Sequence, residues 1–260
     1  MDTAFGKSVS YNAATVKAGI SIPLRFIGGR TNKFLSFGGG YNAEQYYYRG
    51  VGKNIFNNRA INYLNAFFSF RNIGQQAKQQ VNPRWAQALS IDYRDAVNFR
   101  NSHKFVAHAS FYFPGIGRNH SLLINAAYQN RDTLADLFSK NFAYSRGYQA
   151  LSTRRMYKLG VNYQLPVVYP DWGFANLLYF QRIRANAFYD YTNAKARVNN
   201  ILTEINNSST GAEIYFDTKI WNAFPVSFGV RFSHLLNTDL LNPTVKNRWE
   251  IIIPIGLIPD

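Results

Sequence analysis

The chain has 260 residues, no cysteine and a formal net charge of +15, and 17% of its residues are aromatic. The lack of cysteine excludes a disulfide scaffold and a metal site built on thiolates. No run of 18 apolar residues is present, which excludes membrane-spanning helices. A chain that is rich in aromatic residues but has a mean hydropathy of −0.26 is typical of strands with one apolar face and one wet face.

The sequence predicts a succession of eleven β-strands, because apolar and polar residues alternate in segment after segment. Residues 158–165 show the pattern most clearly: Leu159 and Val161 share one face, while Lys158 and Asn162 share the other. The predicted strands are 13–26, 33–48, 59–73, 84–95, 103–113, 120–131, 154–165, 173–192, 209–221, 225–236 and 247–258.

The alternation also assigns side chains to faces. The predicted apolar face includes Phe105, Phe111, Ile124, Val161, Phe216, Phe228, Val230 and Ile253. The predicted polar face includes Lys158, Arg182, Arg184, Glu213, Asp217 and Arg231.

A soluble β-sandwich would alternate in the same way, but three features favour a transmembrane antiparallel β-barrel. Segments of about 10 to 14 residues are long enough to cross a bilayer at a tilt, and the turns alternate between short and long. Aromatic residues also lie near the segment ends: Trp85, Tyr93, Tyr163, Trp172, Tyr189, Tyr191, Trp221 and Trp249. We therefore expect residues 1–260 to form a single all-β domain in the outer membrane of a Gram-negative cell.

Closed single-chain bacterial barrels normally have an even number of strands. Either residues 1–12 supply a twelfth strand, or the chain is the C-terminal part of a larger barrel. The start at Met1 has neither a basic segment nor an apolar core, so we expect a mature or truncated chain.

Connection lengths predict the orientation of this barrel. Residues 114–119 and 222–224 are short and are predicted to be periplasmic turns. Residues 132–153, 193–208 and 237–246 are longer and are predicted to face outward.

The excess of basic residues has two interpretations. Basic residues interleaved with aromatics are typical of single-stranded nucleic-acid binders. Here most of them lie at segment ends or on the polar face, as Arg154, Arg155 and Lys158 do. This placement favours contact with the anionic lipopolysaccharide headgroups of outer-membrane lipids over binding to nucleic acid.

Enzymatic interpretations find little support in the sequence. His103 and His108 are five residues apart and so point to opposite faces of a strand. No Gly-x-Ser-x-Gly elbow occurs. We expect no catalytic residue, no cofactor and no metal. An outer-membrane protease or lipase built on barrel side chains remains open, because such sites need few residues.

The order of elements in the second half of the chain resembles a known family. A long loop carrying Ser145-Arg146-Gly147-Tyr148 is followed by a strand that ends at 162–166 and then by segments 186–191 and 211–217. Two final strands complete the order. This arrangement is similar to the C-terminal barrel of the Omp85 superfamily, which includes the BamA-type insertases and the two-partner secretion transporters. The resemblance covers about residues 120–260, and Ser145 stands where the family usually has an apolar residue. The segments also resemble the barrel end of longer outer-membrane proteins of the Bacteroidota.

The resemblance implies a functional loop. Residues 132–153 would be the sixth extracellular loop, folded into the lumen of a barrel of about sixteen strands. The motif Arg146, Gly147 and Tyr148 would then meet carboxylates on the following strands, for which the candidates are Asp190, Glu213 and Asp217. If Arg146 is instead solvated, these acids would pair with Arg182, Arg184 or Arg231.

The function implied by the resemblance is insertion of proteins into the outer membrane or their translocation across it. The partners would be a protein substrate and periplasmic or outer-membrane subunits. The alternative is a passive structural or pore-forming barrel that anchors a periplasmic domain or partner.

Overall fold

The computed structural model describes most of the chain. The described residues are 2–4, 7–50, 53, 57–77, 79–98, 102–132, 138, 142–150, 153–175, 177–198, 201–221 and 223–253. The side chains of residues 2–4, 7–9, 196–198, 201 and 202 are outside this description.

The regular elements among the described residues are β-strands. The first seven are β1 (Asp2–Ala4), β2 (Lys7–Val9), β3 (Tyr11–Gly28), β4 (Thr31–Tyr48), β5 (Arg59–Gly74), β6 (Ala86–Ala96) and β7 (His103–Pro114). The next seven are β8 (Ser121–Arg131), β9 (Arg155–Val168), β10 (Trp172–Phe174), β11 (Leu178–Val198), β12 (Ile201–Ile220), β13 (Phe224–Leu235) and β14 (Asn247–Ile252).

Twelve of these strands form one antiparallel sheet, which confirms the predicted all-β class. From β3 to β14 each strand pairs with the next along the chain, except that the short β10 pairs only with β11. Among the described residues, β3 pairs only with β4 and β14 only with β13, so the sheet is open along both edges. No helix in the described part of the chain is long and apolar enough to cross a membrane.

Cross-strand register separates the two faces of the sheet, because residues directly opposite one another share a face. One row, across β9, β11, β12, β13 and β14, consists of Gln164, Asn186, Glu213, Arg231 and Glu250. The adjacent row consists of Leu165, Ala185, Ile214, Val230 and Ile251. We call the surface that carries the first row the polar face and the surface that carries the second row the apolar face.

Two predicted boundaries are wrong. Residues 193–208 were predicted to form a loop, but β11 and β12 pair as far as Val198 and Ile201. The pairing continues because polar side chains oppose one another along it: Lys195 Nζ lies 2.6 Å from a carboxylate oxygen of Glu204, and Asn193 donates to Asn206. A ladder of small and polar residues lacks the apolar alternation by which a strand is recognised in a sequence.

The start of the chain differs from the first of the two alternatives, in which residues 1–12 supply a twelfth strand of the sheet. Asp2–Ala4 and Lys7–Val9 instead pair with each other as a separate two-stranded sheet. The twelfth strand is β10, which the sequence had joined to the following strand. Asp171 and Ala175, on either side of β10, have φ values of 50° and 49°, in the left-handed region. These two residues turn the chain so that β10 folds back on the start of β11.

The pairing of the last strand can be compared with the prediction for residues 247–258. Asn247–Ile252 pair with residues 229–234 of β13, as predicted, and residues 254–258 lie outside the described part of the chain. The rings of Phe232 and Trp249 pack against each other across this pairing, tilted by 49°, with centroids 4.9 Å apart.

The pairing of β13 with β14 can be checked by crosslinking, since the chain has no other cysteine. We expect the double variant Val230→Cys and Ile251→Cys to form a disulfide under mild oxidation, because directly opposed residues have Cα atoms about 4.5 to 5.5 Å apart. The pair Val230→Cys and Trp249→Cys lies on the same face but diagonally, at a separation of about 7 to 8 Å, and is the matched control. Stronger crosslinking of the control pair would mean that the register is wrong.

Candidate functional site

The loop between β8 and β9 lies against the polar face of the sheet. Phe142 is buried in a cluster with Met156, Ala194 and Ile205, which belong to β9, β11 and β12. The backbone oxygen of Tyr144 accepts a hydrogen bond from Lys158 Nζ at 2.8 Å. Further back in the loop, Phe138 packs on residues of β5 and β6. The loop therefore contacts the sheet at widely separated strands.

Arg146 lies at the centre of these contacts and binds Asp190 of β11 in a bidentate arrangement. Its Nε donates to Asp190 Oδ2 at 2.7 Å and its Nη2 donates to Asp190 Oδ1 at 2.8 Å. The backbone N–H of Arg146 also donates to Asp190 Oδ2, at 3.1 Å. Both oxygens of Asp190 are thus bonded to one loop residue, and this fork geometry is specific to arginine.

The remaining donors of Arg146 reach two further strands. Nη1 donates to Glu213 Oε2 of β12 at 3.2 Å, and Nη2 donates to Asn162 Oδ1 of β9 at 2.7 Å. The guanidinium lies over the ring of Phe188, with Cζ 3.6 Å from the ring centroid. A guanidinium bonded at its edges and covered on a face by an aromatic ring has little freedom to move.

The two carboxylates depend on this arginine because the sheet buries them. Asp190 has a relative exposure of 0% and Glu213 of 2%. Arg231 Nε lies 2.5 Å from Glu213 Oε1, and Lys158 Nζ lies 3.6 Å from Asp190 Oδ2. Three cations thus surround two buried carboxylates, and only Arg146 of the three comes from the loop.

Ser145 and Tyr148 fix the backbone on either side of Arg146. The hydroxyl of Ser145 lies 2.6 Å from Thr192 Oγ1 and donates to the backbone oxygen of Asn207 at 3.1 Å. The hydroxyl of Tyr148 lies 2.8 Å from the backbone oxygens of Ser208 and Asn237 and accepts from the Asn237 N–H. Burial raises the pKa of the Tyr148 hydroxyl above its ordinary value. A serine at position 145 suits a polar contact surface, where an apolar residue could not make these bonds.

Gly147 allows the close approach of the loop to β13. Its φ is 84°, in the left-handed region that side chains rarely adopt. A Cβ at this position would lie 2.8 Å from the side chains of Ser233 and Leu235. Both the conformation and the space therefore require glycine here.

Asp217 lies apart from the Arg146 site. Its carboxylate pairs with Arg182 at 2.7 Å and Arg184 at 3.2 Å, and it accepts a hydrogen bond from Ser227. It is four residues from Glu213 along β12, a separation of about 13 Å in a strand. The structure thus brings two of the three predicted carboxylates to Arg146 and gives the third to arginines of β11.

The sequence prediction missed three contacts of the site: Asn162, Phe188 and Thr192. Each of these residues lies an even number of positions along its strand from a residue already assigned to the polar face, so it shares that face. Phe188 was a usable signal in the sequence, because an aromatic ring on a polar face suggests that a cation packs against it.

Among the described residues, no group of three histidine or acidic side chains is placed to hold a metal ion.

The fold and the site define the class of this protein as an antiparallel, all-β sheet protein with a loop arginine bound to buried carboxylates on its polar face. No family model matches the chain, and no curated protein matches it either.

We expect Arg146→Ala to release the loop while the sheet stays folded. Removal of one partner of a buried ion pair typically costs about 3 to 5 kcal/mol, because the other charge stays buried. Limited proteolysis should then cleave residues 142–150 faster than in the parent chain, with an unchanged β-sheet signal in circular dichroism. Arg146→Lys should restore little protection, because an ammonium cannot bind Asp190 bidentately.

The matched control is Lys195→Ala, which removes a cation from the exposed pair with Glu204. Exposed pairs contribute about 0 to 1 kcal/mol, so this variant should leave the cleavage rate of the loop unchanged. Equal protection of the loop in the parent chain and in Arg146→Ala would mean that Arg146 does not hold it.

Proposed function

We propose that the chain is a membrane-spanning β-barrel of the Omp85 type that inserts proteins into the outer membrane or moves them across it. The observation that carries the proposal is the binding of Arg146, in the motif Arg146-Gly147-Tyr148, to the buried carboxylates of Asp190 and Glu213. This is the contact that the resemblance to the superfamily implies.

The polarity of the sheet supports a location in a membrane. Apolar residues of the apolar face are exposed, as Val230 at 41% and Ile251 at 78% are, whereas Asp190 and Glu213 of the polar face are buried. A continuous exposed apolar surface of this kind is rare on soluble monomers. It is expected where one face of the sheet contacts hydrocarbon and the other lines an interior.

Aromatic residues add a second line of support. Trp85, Trp172 and Trp221 are all exposed and all lie next to connections at the same end of the strands. Each of them packs against a phenylalanine, as Trp85 does on Phe113. Tryptophan is enriched where hydrocarbon meets headgroups, so this end of the sheet would lie at a membrane surface.

The loop and the open edges support transport over a purely structural role. A loop bound to the wall by a multidentate arginine and by the residues on either side of it can hold one defined position. Along β3 and β14, one side of each strand has no partner among the described residues. Unpaired strand edges are templates for added strands, as a client strand would be during insertion.

One observation favours the passive alternative. The connection between β5 and β6 crosses the polar face at the end opposite the loop: Asn82 donates to Gln164 of β9 at 2.9 Å, and the backbone oxygen of Gln80 accepts from Arg182 of β11 at 3.0 Å. A segment held in this way narrows the interior of a barrel. A sealed barrel that anchors a partner would need no path for a protein.

If the apolar face contacts lipid, a charge added to it should destabilise the fold more than the same charge added to the polar face. Val230→Arg should destabilise the fold by about 2 to 4 kcal/mol if this position is near the bilayer midplane. Ser36→Arg, which adds the same charge to the polar face on β4, should cost far less. Unfolding by urea in lipid vesicles measures both values. Equal tolerance of the two arginines would argue against a lipid-facing apolar surface.

Insertion activity can be separated from a passive role in reconstituted vesicles. The parent chain should speed the folding of a urea-unfolded outer-membrane barrel into the vesicles, and Arg146→Ala should lose most of this acceleration. Lys195→Ala, which changes the charge equally, should keep it. A chain that inserts stably, gives no acceleration and conducts ions steadily across a planar bilayer would favour the passive alternative.

A further inference from the structure

The connection between β13 and β14 exposes several apolar side chains. It comprises residues 236–246, all of which the structure describes, and we call it the β13–β14 loop. Leu236, Leu240, Leu241 and Val245 are 52%, 56%, 52% and 40% exposed. Connections between strands are normally polar, so four exposed aliphatic side chains in one short connection need a physical explanation.

The base of this loop continues the apolar face of the sheet. The N–H of Leu235 donates to the backbone oxygen of Lys246 at 2.8 Å, so the pairing of the two strands extends into the loop. Leu236 and Val245 come next on the two sides. Each lies an even number of positions from the apolar-face residues of its strand and therefore shares their face.

The tip of the loop is held by a buried acid. Asp239 is 4% exposed, and its Oδ2 lies 2.5 Å from Nη2 of Arg248 in β14. Its Oδ1 accepts a hydrogen bond from the backbone N–H of Leu241 at 3.1 Å. These bonds give the loop a defined shape that keeps the adjacent Leu240 and Leu241 at the surface.

The neighbouring hairpin of β11 and β12 turns polar at this level. Beyond the point where the β13–β14 loop leaves β13, the residues of the hairpin that share the apolar face bond one another through polar groups. Asn193 donates to Asn206 at 2.7 Å, and Lys195 Nζ lies 2.6 Å from a carboxylate oxygen of Glu204. In a membrane, this change would mark the boundary between hydrocarbon and headgroups. The leucines of the loop therefore lie close to that boundary.

We propose that the β13–β14 loop binds the membrane surface, with Leu240 and Leu241 among the acyl chains of the adjoining leaflet. The inference rests on the proposed membrane location and adds to it a lipid contact outside the strands. Its support is the continuity of the loop with the apolar face through Leu236 and Val245. Lys246 is exposed on the same loop and adds a positive charge for anionic headgroups. Interfacial segments bind membranes by this combination of shallow apolar insertion and electrostatic attraction.

Spin labelling tests the proposal on the full chain, which has no cysteine of its own. A nitroxide is attached to Leu240→Cys or Leu241→Cys, and each variant is reconstituted in vesicles of phosphatidylcholine and phosphatidylglycerol. We expect both labels to be more accessible to oxygen, which concentrates in hydrocarbon, than to a water-soluble nickel chelate. A label that is more accessible to nickel, or is shielded from both reagents by protein, would overturn the proposal.

The matched control is Glu204→Cys on the polar end of the neighbouring hairpin. The Glu204 side chain is 55% exposed and shares the apolar face, so position alone does not distinguish it from the leucines. Its label should be more accessible to nickel than to oxygen. Equal accessibility ratios at positions 204 and 240 would contradict a lipid contact specific to the loop.

A label on Ile251→Cys separates failure of this inference from failure of the proposed function. Ile251 lies on the apolar face of β14 and is 78% exposed, so its label should be accessible to oxygen if the sheet spans the membrane. A lipid-exposed label at 251 with an aqueous label at 240 would overturn the loop contact alone. An aqueous label at 251 would overturn the membrane location and the loop contact together.

Discussion

The contact between Arg146 and the carboxylates of Asp190 and Glu213 is the interaction on which the polar face depends. Two acidic side chains on neighbouring strands are nearly inaccessible, and a carboxylate in such a place is tolerated only when it is paired and hydrogen-bonded. Arg231 and Lys158 supply part of the compensation from the sheet. Among the described residues, Arg146 of the loop is the one cation that contacts both acids within 3.2 Å. Folding of the loop onto the sheet and burial of the acids are therefore coupled.

The residues around Arg146 also contribute to the folding of the loop onto the sheet. Gly147 lets the loop approach β13, and Ser145 and Tyr148 bind backbone oxygens of Asn207 and Ser208 in β12 and of Asn237 after β13. The ring of Phe188 covers one face of the guanidinium. Each of these contacts is small, but together they limit the loop to one position, which a transport function would require of it.

The burial of side chains on the two faces of the sheet is the reverse of that in a soluble fold. Charged side chains are buried on the polar face, while isoleucine and valine remain exposed on the apolar face. The polar face also carries two segments that cross it at opposite ends, the loop after β8 and the connection after β5. The sheet buries polar side chains on one face and exposes apolar side chains on the other, and this contrast is the physical basis of the proposed membrane location.

The sequence by itself determined the strand order, the antiparallel class and the face of most side chains, because alternation with period two is a local property of a strand. It could not recognise the outer part of the hairpin of β11 and β12, where polar pairs such as Lys195 and Glu204 take the place of apolar alternation. It also placed Asp190, Glu213 and Asp217 on one face without separating them. Only the tertiary structure decided which of them meets Arg146, since cross-strand register and the path of the loop set distances between residues far apart in the chain.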